Sequence, residues 1–222
     1  MIYMPNVLLI GSSTRNSGKT TFAAKFVQKW GADFNIIAFK ISTVRDEGTA
    51  CHHGAEGCGE CEVFSGPYEM SEETCVYARK DTSLLLKAGA KRVFRVRVAR
   101  GKISEAFEEM KGYISSADLV VCESNQLGAI IKPGVAVMMD RANMTDIKDS
   151  AQAFLDRADF LCDISLDIQI GEDAVESDIL KTDAVESNYP ENKKSTKKIS
   201  VDELLNKISV THDELGNVVI GL

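Results

Sequence analysis

Asn6-Val-Leu-Leu-Ile-Gly-Ser-Ser-Thr-Arg-Asn-Ser-Gly-Lys-Thr-Thr-Phe-Ala-Ala-Lys-Phe-Val-Gln-Lys-Trp30 is the stretch that decides the fold. It opens on a short apolar run ending at Gly11 and closes on Thr20–Trp30, where Phe22, Ala23, Phe26, Val27 and Trp30 recur at helical spacing. A polar turn joins them, so the order is strand, loop, helix, the context in which such a loop binds phosphate. Successive backbone N–H groups of the loop would point at phosphate oxygens, and the helix N-terminus adds partial positive charge. Gly18 permits close backbone approach, Lys19 would reach the β- and γ-phosphates of a nucleoside triphosphate, and the Thr20 hydroxyl would ligate Mg²⁺. Gly11, Ser13, Asn16, Ser17 and Thr21 complete the candidate binding loop. Ser13 stands where G-x-x-x-x-G-K-[ST] has its first glycine, and the nearest glycine is Gly11. The structural alternative is a Ser/Gly-rich helix cap with a surface lysine; the placement between strand and helix favours the phosphate loop.

Outward from this unit, apolar runs at Phe34–Ile41, Val93–Val98, Asp118–Cys122, Val135–Met139 and Phe160–Ile164 read as strands. Most are continuous rather than alternating, as parallel strands covered on both faces should be. Helical patterns at Thr82–Ala88, Ile103–Ile114 and Ile147–Arg157 lie between them. The alternation predicts an α/β fold with a doubly wound, mostly parallel sheet, occupying residues 1–168, with ligands at the strand ends.

A phosphate loop also needs carboxylates for the metal or the attacking water. Glu123 ends the strand Asp118-Leu-Val-Val-Cys-Glu123, and a charge at the end of a buried strand needs a partner, so it is the first candidate. Asp81, followed by Thr82 and Ser83, is the second, with a helix N-cap as its structural alternative. Lys40, at the end of the second strand, is placed to meet phosphate or substrate.

Residues 43–80 break the pattern, with four cysteines, two histidines, five glycines and few aliphatic residues. Cys51, Cys58, Cys61 and Cys75 are candidate ligands of Zn²⁺ or an iron–sulfur cluster, with His52 or His53 able to replace Cys75; free or redox-active thiols are the alternative. Cys122 and Cys162 sit in apolar runs and read as core residues. Residues 169–200 form a charged linker in which Asp173–Ser177 is repeated at Asp183–Ser187. Residues 201–222 form a small appendage, with a short helix at Val201–Ile208 and an edge strand at Asn217–Ile220 by which the tail can dock back on the domain.

The 222 residues carry a net charge of −7, which argues against general nucleic-acid binding. No apolar run is long enough to span a bilayer and no signal-peptide pattern opens the sequence, so a cytoplasmic, membrane-free protein is expected.

Asn16-Ser-Gly-Lys-Thr-Thr21, Ala38-Phe-Lys40, Asp81-Thr-Ser-Leu-Leu-Leu-Lys-Ala-Gly-Ala90 and Val120-Val-Cys-Glu123 together resemble the MobB family of molybdopterin guanine dinucleotide biosynthesis, over about residues 5–165. The resemblance implies a GTP-binding homodimeric adaptor that hydrolyses slowly and works with molybdopterin-processing or metalloenzyme maturation proteins. Two features depart from the family: the cysteine insertion replaces a His-rich loop, and Glu123-Ser-Asn125 replaces Glu-Gly. No Asn/Thr-Lys-x-Asp guanine motif follows a strand, so GTP comes from the resemblance alone and ATP stays open. Two other functions fit the same loops: an ATP-dependent carboxylate-activating ligase similar to dethiobiotin synthetase, and a nucleotide-gated metal or iron–sulfur carrier or redox sensor.

Overall fold

The apolar runs assemble as parallel strands with helices on both sides. The computed structural model describes residues 1–14, 16–44, 65–78, 80–140, 149–163 and 198–222. Along the chain run β1 (Ile2–Ser12), α1 (Lys19–Trp30), β2 (Ile36–Val44), β3 (Tyr68–Glu72), α2 (Asp81–Lys87), β4 (Arg92–Ala99), α3 (Ile103–Ser115) and β5 (Leu119–Glu123). A 3₁₀ turn (Leu127–Ala129), β6 (Ile131–Asp140), α4 (Asp149–Leu155), β7 (Phe160–Asp163), β8 (Lys198–Ile199), α5 (Val201–Lys207), β9 (Ser209–His212) and β10 (Val218–Gly221) follow. The main sheet has the order β3-β4-β2-β5-β1-β6-β7-β8. Seven of its strands are parallel, and β3 runs antiparallel to β4 at one edge.

Strict alternation along each strand divides the core in two. Leu8, Ile10, Ala38, Val93, Leu119 and Val121 face α1, α2 and α5, where Phe22, Phe26, Leu85 and Leu204 meet them. Val7, Leu9, Phe39, Val96, Val120 and Cys122 face α3 and α4, packing on Phe107, Met110 and Phe154. From β1 the chain moves toward β2 and β4 on one side, and from β6 toward β7 and β8 on the other. The ends of β1 and its two neighbours therefore lie at the point where the winding reverses, where α/β sheets place ligands.

Three expectations are corrected. Residues 43–80 do not lie wholly outside the sheet: β2 continues to Val44, and Tyr68–Glu72 is the antiparallel edge strand, held by backbone pairing, by Tyr68 and Met70 against the core and by ion pairs of Glu69 and Glu72. The segment 169–200 stops being a linker at Lys198, where β8 pairs with β7; its residues 169–197 lie outside the described ones. Residues 201–222 lie against the domain, with Val201, Leu204, Leu205, Ile208 and Ile220 in the core on the α1 side. The strand expected at Asn217–Ile220 is β10, which pairs with β9 in a hairpin instead of extending the main sheet.

Candidate functional site

The loop after β1 is held from both sides by residues at the ends of neighbouring strands. Asn125, just past β5, accepts a hydrogen bond from the Ser12 amide at 2.8 Å and donates its own amide to the Ser12 carbonyl at 2.9 Å. Asp140, the last residue of β6, accepts from Ser13 Oγ at 2.6 Å, both residues being buried. The Ser13 amide also donates to the carbonyl of Met139 at 3.2 Å. Ser17 Oγ donates to the Thr14 carbonyl across the turn. Asn16 and Gly18 both take positive φ, 54° and 82°, which asparagine and glycine tolerate best. Gly18 occupies the position before α1, so no serine side chain caps that helix.

At the start of α1, Lys19 Nζ donates to Ser12 Oγ at 2.6 Å, folding the ammonium back over the loop. Thr20 Oγ1 donates to Glu123 Oε2 at 3.1 Å. Glu123 is 2% exposed, and its Oε1 has no hydrogen-bond partner among the described residues. Burial pushes the Glu123 carboxyl above its ordinary range, against the pull of the Lys40 and Lys19 charges and the Thr20 hydroxyl. A buried acceptor beside a threonine hydroxyl is an oxygen pair that suits a hard divalent cation, so these residues fit Mg²⁺ held with a nucleotide.

Lys40 lies opposite Glu123 in the β2–β5 pairing, and its ammonium forms an ion pair with Asp81. Asp81 is the first residue of α2; Lys80 occupies the cap position, so the N-cap alternative for Asp81 gives way to this pairing. Glu73 ties the segment before α2 to the helix, accepting from Thr82 Oγ1 at 2.8 Å and from the Cys75 amide at 2.9 Å. Those bonds, the Cys75 amide foremost, hold the Glu73 carboxyl below its ordinary range. The structure thus gathers Gly11, Ser13, Asn16, Ser17, Gly18, Lys19, Thr20, Glu123, Lys40 and Asp81 around the C-terminal ends of β1 and β5; Lys40 does not end its strand as expected but lies in the middle of β2, level with Glu123, and Thr21 faces solvent on α1. A cavity of about 500 Å³ bounded by Tyr3, Asn6, Asp118 and Asn217 lies at the opposite ends of the strands and shares no residue with this group.

Asn125 and Asp140 escaped the sequence reading. Each follows or ends an apolar strand as Glu123 does, and that shared position was the available signal. Cys51, Cys58 and Cys61 lie outside the described residues. Cys75 is an exposed thiol, and the described residues hold no group of three or more His, Cys, Asp or Glu side chains arranged for a metal ion. Cys122 and Cys162 are buried in the core, and burial pushes the Cys122 thiol far above its ordinary value, which leaves it protonated. Among the described residues no helix is long and apolar enough to cross a membrane. Comparison of the chain with family models, with curated proteins and with solved structures returned no match.

Proposed function

We propose that this chain is a P-loop NTPase that binds a magnesium nucleoside triphosphate at residues 11–21, hydrolyses it slowly, and serves maturation of a molybdenum or tungsten cofactor or its enzymes. The observation that carries the nucleotide reading is the convergence of Lys19, Thr20 and buried Glu123 where strand, loop and helix meet. Lys19, folded onto Ser12 Oγ over the loop, would turn to the β- and γ-phosphates, and the loop amides would supply further donors. The cation, when bound with the nucleotide, neutralises charge developing on the β- and γ-oxygens. Thr20 and Glu123 would hold it, Glu123 as the carboxylate. The maturation role rests on the MobB-like run Asp81–Ala90 and on Lys40 and Glu123, which this reading puts on one nucleotide site.

The test is titration of the full chain with fluorescent GTP and ATP analogues in the presence of Mg²⁺. Lys19→Ala should weaken binding at least tenfold, the loss of one charge-assisted contact worth about 1.5–3 kcal/mol. Undiminished affinity in that variant would sink the assignment, and the ratio of the two wild-type affinities identifies the base.

A further inference from the structure

The alternation that buries Ala38, Val93, Leu119 and Val121 on the α1–α2 side changes character from the middle of β2 and β4 and at the end of β5. Backbone pairing there sets Glu123 beside Lys40, Lys40 beside Arg95, and Arg95 beside Ser71. The next residues on this face form a second row: Ser42, Arg97 and Glu69. Interior strands of a parallel sheet covered on both faces are expected to be apolar. The opposite face of β4 obeys this, with Phe94, Val96 and Val98 all in the core. Two arginines on the near face therefore call for a polar purpose. Helix α2 starts at Asp81, which pairs with Lys40, and leads back toward the start of β4.

We propose that Lys40, Arg95 and Arg97 form a second binding site, for a phosphate or carboxylate group of a second substrate, beside the γ-phosphate end of the nucleotide loop. Adjacent strands lie about 4.8 Å apart and same-face residues about 7 Å apart along a strand, so three long cationic side chains from β2 and β4 can converge on one oxyanion. Guanidinium groups present a planar fork that matches such oxyanions. Asp81, paired with Lys40, and Glu69, paired with Arg97, are placed to yield. Asp81 and Glu69 are 48% and 50% exposed, whereas the Arg97 side chain is 7% exposed. A half-exposed carboxylate returns to water at little cost. The row begins at Glu123, which touches Thr20, so the two ligands would meet at the strand ends. The site's part in a reaction rests on the nucleotide reading; binding of the anion does not.

Arginine modification by phenylglyoxal, followed peptide by peptide by mass spectrometry on the full chain, tests this with inorganic phosphate and citrate as probes. Arg92 is the internal control, since its guanidinium stacks on Phe94 and Tyr113 and pairs with Glu72. At least one probe should slow modification of Arg95 fivefold or more while leaving Arg92 unaffected; protection by phosphate alone indicates a phosphorylated ligand, and by citrate alone a polycarboxylate. Arg95→Gln should weaken binding of that probe at least tenfold by calorimetry, with Arg95→Lys intermediate. No protection by either probe, or equal protection of Arg92, overturns the proposal without any variant having to fold. Triphosphate binding is measured on the same preparation: its absence overturns the nucleotide reading alone.

Discussion

Gly11 has no room for a side chain, because a Cβ there would overlap the Phe154 ring and lie 2.8 Å from Asn125 Oδ1. Gly11→Ala should therefore cost about 1–3 kcal/mol by overpacking, read as a lower urea midpoint with unchanged slope. Glu123 makes a prediction of a different sign. Its folded-state carboxyl titrates above the unfolded one, so the wild-type chain loses stability as pH rises from the ordinary glutamate range through the raised value. Glu123→Gln should be the more stable chain above that window, in urea unfolding at pH 5 and pH 8. Magnesium-supported triphosphate affinity of the wild type should rise with pH through the same window, because cation binding displaces the proton, and the variant should lack both the rise and the magnesium dependence. Gly18, Lys19, Thr20 and Glu123 were legible in the sequence because each is marked by its own segment, a loop motif or a strand end. Asn125 and Asp140 were not, since their importance lies in bonds to Ser12 and Ser13, 113 and 127 residues away.

At the scale of elements, α5 shows how much of the core is supplied from the far end of the sequence. Ser200 caps it, its Oγ accepting from the Glu203 amide at 3.1 Å, and Lys25 and Lys29 of α1 reach the Asp202 carboxylate and the Leu205 carbonyl. Leu204 is fully buried, so Leu204→Ala should cost about 2–5 kcal/mol, and Ser200→Ala about 1 kcal/mol, both by thermal or urea unfolding. The central strands and α1 to α3 were readable because long apolar runs and 3.6-residue periodicity survive any tertiary context. The strands β3 and β8 were not, because an edge strand needs only backbone pairing, and two or five residues without an apolar run carry no pattern. The hairpin was half readable: Gly216 at φ 81° and Asp213, which accepts from the Leu215 and Asn217 amides, mark its turn, but nothing local told that Ile220 would enter the core.

For the whole molecule, a ligand that binds only the folded chain stabilises it by mass action. Magnesium triphosphate at a hundred times its dissociation constant should add about 2.7 kcal/mol. For a chain of this size that is a rise of about 5–10 °C in Tm, measurable by differential scanning fluorimetry, and Lys19→Ala should lose about half of it or more under the same conditions. The sheet order has a consequence of another kind. β1, with Val7, Leu8, Leu9 and Ile10 all fully buried, pairs only with β5 and β6, so its partners arrive more than a hundred residues later in the sequence. During refolding its most apolar segment must stay unpaired while long loops close, which makes folding slow and leaves the segment open to strands of other molecules. Recovery of active protein from denaturant should then be governed by how dilute the chains are while they fold, not by how stable they are once folded.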